Sequence, residues 1–81
     1  MTIRVLAFAS LADRLGKGEF SLDLDEGTSV SDALDALAKR FPDVKSFGTS
    51  LAVAVNHRYV ASDSPLSAGD ELALIPPVSG G

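Results

Sequence analysis

The chain closes on "PPVSGG", Pro76 to Gly81, and the group there with chemistry to offer is the carboxylate of Gly81. No charged side chain follows Glu71. Pro76 and Pro77 stiffen the path into an extended, polyproline-like form with few conformers to lose on binding. Val78 supplies one apolar anchor, and Ser79 is small. Gly80 and Gly81 carry no Cβ, so the chain can thread a narrow channel and leave the acid group unobstructed. Six extended residues span roughly 20 Å. Taken alone, the composition of this stretch leaves a frayed end as the alternative, because disorder concentrates at termini.

Elsewhere the chemistry-bearing residues are sparse. His57 is the sole histidine and lies between Asn56 and Arg58 in a turn, which reads as a solvated position. Nucleophilic catalysis needs a positioned base beside the nucleophile, and nothing in the sequence marks one. "DLDEG", Asp23 to Gly27, crowds three acids without the ligand spacing of a calcium loop. No glycine-rich phosphate loop is present. Lys17, Lys39 and Lys45 read as surface lysines. Cysteine is absent, which removes a disulfide scaffold, a thiolate metal site and a nucleophilic thiol. No metal site is expected.

The chain has 81 residues and a net charge of −4, from 11 acids and 7 bases. A length of this order allows one domain with a thin core and no deep enclosed active site. The acidic balance disfavours a phosphate backbone as partner, so no nucleic-acid role is expected. The opening "MTIRVLAFAS" has an apolar run too short for a signal-peptide core or a membrane span, so a cytoplasmic protein with no membrane role is expected.

The elements that must present the tail are legible in the pattern. Thr2–Phe8 is rich in β-formers and reads as a strand. Phe8, Leu11, Ala12 and Leu15 fall at helical spacing, with Ser10 the expected N-cap and Gly16 the stop. Glu19–Leu24 alternates apolar and polar, which predicts a half-buried strand antiparallel to the first. Val30, Ala33, Leu34, Leu37, Ala38 and Phe41 form one apolar stripe on an amphipathic helix. Ser29 with Asp32 resembles a capping box, and Pro42 ends the helix.

Asp43–Ser50 reads as a loop and Leu51–Val55 as a buried strand. A tight turn at Asn56–His57 leads to a short edge strand through Tyr59 and Val60. Two further turns precede a last strand, Glu71–Ile75, which Pro76 terminates. One helix covers only one face of a sheet. The expected class is therefore α+β, a β-grasp (ubiquitin-like) fold, with a mixed four- to five-stranded sheet wrapped around one main helix. Residues 1–75 would form the body and residues 76–81 an extended tail.

Strand alternation also sorts the two sheet faces. Arg4 and Glu71 should avoid the helix, so they mark the outside. Leu6, Phe8 and Ile75 then fall on the open side near the tail, with Tyr59 close by. Together they are a candidate partner surface.

At this point the sequence resembles a known family. "VLAFASLADRLG", "LAVAVNHRYV" and "DSPLSAGDELALIPPVSGG" are similar to the small subunits of molybdopterin synthase, ubiquitin-like sulfur carriers, over nearly the whole length. Ile75 departs from the Phe that the family often has before the prolines. The resemblance implies that an activating enzyme uses ATP to adenylate the Gly81 carboxylate, after which sulfur from a persulfide donor leaves a thiocarboxylate there. It implies no cofactor bound to this chain and no catalytic side chain of its own. It further implies insertion of Pro76, Pro77, Val78, Ser79 and Gly80 into the pocket of a large synthase subunit within a heterotetramer. There the sulfur would pass to cyclic pyranopterin monophosphate in molybdenum cofactor biosynthesis. A carrier for another pathway (tRNA thiolation, thiazole or cysteine synthesis), a ubiquitin-like protein modifier and a plain interaction module all remain open.

Overall fold

In the computed structural model, residues 1–47 and 50–77 are described; the tail positions Val78, Ser79, Gly80 and Gly81 lie outside the described residues. The elements are β1 (Thr2–Ala7), α1 (Ala9–Leu15), β2 (Glu19–Asp23), α2 (Val30–Arg40), α3 (Pro42–Ser46), β3 (Ala52–Val55), β4 (Arg58–Tyr59) and β5 (Glu71–Ile75). They form a five-stranded sheet in the order β2-β1-β5-β3-β4. β1 pairs antiparallel with β2 and parallel with β5, and β3 pairs antiparallel with both β5 and β4. This is the expected β-grasp, an α+β fold.

Alternation in the strands aims one face at the helices. Ile3 and Val5 of β1, Leu22 of β2, and Leu72 and Leu74 of β5 are buried there. From α2, Val30, Ala33 and Leu37 close the core from above. Ser29 caps α2, its side chain accepting a hydrogen bond from the Asp32 N–H at 3.1 Å. Lys39 and Arg40 occupy the last turn, where the helix dipole favours cations.

Two local expectations need correction. Phe8, not Ser10, caps α1: its carbonyl already accepts from the N–H groups of Leu11 and Ala12, so Ser10 falls inside the helix. The segment after Pro42 is not a plain loop but begins with α3. Proline's fixed φ and missing N–H suit a first helical turn, so Pro42 ends one helix and opens the next. Leu66, between two turns, is buried and joins the core. Among the described residues, no helix is long and apolar enough to cross a membrane.

Candidate functional site: the outer face of the sheet

The face turned away from the helices is built by register. Leu6 lies opposite Ala73, Ala73 opposite Ala54, and Ala54 opposite Tyr59, so these four residues form one row across β1, β5, β3 and β4. The two central members are alanines, nearly covered by their neighbours, and the flanking members are large. Small residues between bulky ones make the row concave. The next pair towards the tail is Ala52 with Ile75. Phe8 stands at the end of β1, 44 % exposed, and Tyr59 on the edge strand is 76 % exposed.

The result is an open depression of about 240 Å³, lined by Leu6, Phe8, Ala54, His57, Tyr59, Glu71, Ala73 and Ile75. All four residues expected to form a partner surface are therefore brought together: Leu6, Phe8, Tyr59 and Ile75. One side of the rim is ionic. Glu71 receives His57 Nε2 at 3.3 Å and lies 4.0 Å from Arg4, which also pairs with Glu19.

Local chain geometry sets that rim. Asn56 and His57 both adopt positive φ, 51° and 70°, the values of a tight hairpin turn that matches strand twist. The Asn56 amide holds the turn to the start of β5, donating to Asp70 Oδ1 and accepting from the Glu71 N–H, each at 3.0 Å. This clamp fixes where β4 emerges and hence where Tyr59 and His57 stand. The sequence placed His57 in a solvated turn, and it is exposed there, yet it also borders the depression. Alternation along the last strand already puts Ala73 on the outer face with Glu71 and Ile75, but Ala54 was not foreseen, and the floor the two alanines make shows only in the cross-strand register.

At the tail end of the depression, β5 stops at Ile75, and Phe8 N–H reaches the Leu74 carbonyl at 3.3 Å. Pro76 is buried and Pro77 exposed. Val78, Ser79, Gly80 and Gly81, the rest of the expected insertion segment, lie outside the described residues. Among the described residues no polar or charged residue is buried, and no group of three His, Cys, Asp or Glu could hold a metal ion. The site can bind a surface.

Comparison with known proteins agrees with the fold. The family described as the ThiS family matches residues 5–81. The molybdopterin synthase sulfur carrier subunit of Arabidopsis thaliana is 33 % identical over 79 residues, covering 98 % of this chain and 82 % of that one. Small archaeal modifier protein 1 of Haloferax volcanii is 42 % identical over 82 residues, covering 91 % and 94 %. The crystal structure of SAMP1 from Haloferax volcanii superposes with a TM-score of 0.90 at 38 % identity, covering 100 % of both chains.

Proposed function

The chain belongs to the ThiS family, and from that premise we propose that it is a sulfur carrier, the sulfur-carrying subunit of a molybdopterin synthase. The observation that carries this reading is the apolar depression on the outer face, which borders the end of β5 where the chain leaves the sheet for its Gly-Gly terminus. Such a surface docks a partner, while the terminus carries the cargo.

A free carboxylate is a poor electrophile. A cytoplasmic activating enzyme transfers AMP from ATP to the Gly81 carboxylate and releases pyrophosphate. The outer sulfur of a persulfide donor then attacks the acyl carbon and displaces AMP, forming an acyl disulfide, and a second thiol on the donor protein cleaves that S–S bond, releasing the thiocarboxylate and leaving a disulfide behind. Leu6, Phe8, Tyr59 and Ile75 seat the body on the large synthase subunit in a heterotetramer. Pro76 roots the tail, and Pro77, Val78, Ser79 and Gly80 thread the pocket. Gly81 delivers its sulfur to cyclic pyranopterin monophosphate. The bases and phosphate-binding groups belong to the partners, and Gly81 is a carried group rather than a catalyst.

The relative named as a molybdopterin synthase sulfur carrier supports this reading. The likeness to a small archaeal modifier protein favours a second one, in which Gly81 forms isopeptide bonds with lysines of target proteins. An intact mass of the protein from its own cell decides between them. Replacement of one carboxylate oxygen by sulfur, with transfer lost on deletion of Gly81, is the expected result. Branched adducts on target lysines without any thiocarboxylate would replace the first reading with the second.

A further inference from the structure

Of the chain's 7 lysines and arginines, Arg4 and Arg58 lie on the sheet; the others are Arg14, Lys17, Lys39, Arg40 and Lys45. Those five belong to the helices or to the turn after α1, on the side opposite the depression. Arg14, Lys39, Arg40 and Lys45 each have a local reason, since they fall in the last turns of α1, α2 and α3. Their arrangement goes further than that.

Three half-buried rings hold three of the cationic heads. Lys17 Nζ lies 5.4 Å from the Phe20 ring centre and 5.7 Å from that of Phe41. The Arg40 guanidinium sits 5.2 Å from Phe41 on the same ring system, and Phe20 and Phe41 are themselves in contact, 5.1 Å between centres. Arg14 stands 5.2 Å over Phe47 and also donates to Ser46 Oγ at 3.2 Å. Among the described residues none of the five forms an ion pair, whereas Arg4 on the outer face has two carboxylate partners.

We propose that the part of this helix-side face where Arg14, Lys17 and Arg40 gather on the three rings is a second docking surface, which receives a carboxylate-rich patch on a partner protein. Guanidinium forks match carboxylates in shape and charge. Heads already held by rings lose less freedom when they bind. A nucleic acid fits less well: the rings carry the chain's own cations and leave no platform for stacked bases, and the net charge of −4 opposes a long phosphate backbone. The inference goes beyond the sulfur-carrier reading and does not depend on it. Because the two faces lie on opposite sides of the sheet, both can be occupied at once.

The test is a titration of the isotope-labelled full chain with hexaglutamate peptide, followed by amide shifts, with oligothymidylate as the second probe. Saturable shifts confined to Arg14–Lys17 and Lys39–Phe47 are expected, with affinity falling about tenfold between low and physiological salt. The triple variant Arg14→Gln, Lys17→Gln, Arg40→Gln should bind the peptide about tenfold more weakly, and Tyr59→Ala should bind it normally. If the triple variant melts early, Arg40→Gln alone serves, with a loss of about threefold. Shifts centred on Tyr59 and Ile75, tighter binding of oligothymidylate than of the peptide, or unchanged affinity in a folded variant would each overturn the proposal.

Discussion

Tyr59 and Phe8 expose large aromatic surface to water on the outer face, where neither is needed to close the core. Exposed aromatics of this kind contribute to binding far more than to folding. Tyr59→Ala should therefore leave the melting temperature nearly unchanged and weaken docking of the proposed large-subunit partner by about 1–3 kcal/mol. Calorimetric titration beside a melting curve checks both halves; lost stability with intact docking would dismiss the outer face as a docking surface. His57 poses the opposite case. Its φ of 70° is a left-handed backbone that suits glycine, and its side chain is 87 % exposed, so its contact with Glu71 adds little. His57→Gly should raise stability by about 1 kcal/mol, read as a higher denaturant midpoint.

The elements divide by how much of their stability is local. Ser29→Ala removes one cap from α2 and should cost about 1 kcal/mol. Leu37→Ala empties a fully buried position on the same helix and should cost about 2–5 kcal/mol, enough to unfold much of so small a domain. Urea denaturation of the two variants tests that ordering. The same contrast explains what was legible beforehand. α2 and β2 announce themselves because their apolar residues repeat over whole turns or pleats. α3 runs for five residues, too few for a period to appear, and its Pro42 carries both a stop and a start signal. Leu66 is a lone apolar residue among turn formers, and only the bridge between Ser29 and Pro65 brings it under α2. Leu6, Phe8 and Ile75 were legible on one open face from alternation, and Tyr59 only as a residue near them. The hollow between them was not, because alanine composition says nothing about depth until Ala54 and Ala73 are seen side by side in adjacent strands.

For the whole molecule, the sheet order is decisive. β5 lies between β1 and β3, so the strand nearest the C-terminus is the central one. A fragment of residues 1–70 would lack it and leave β1 and β3 each with an unpaired edge. Circular dichroism of that fragment should report a chain without stable tertiary structure; a cooperative thermal transition would contradict this account. The arrangement also bears on the timing of biosynthesis. A nascent chain whose residues 71–75 are still inside the ribosomal tunnel cannot complete its sheet, because β5 is the keystone and follows every other element. The other strands therefore wait on synthesis of β5, and translation interrupted before residue 71 yields a chain that has no closed sheet.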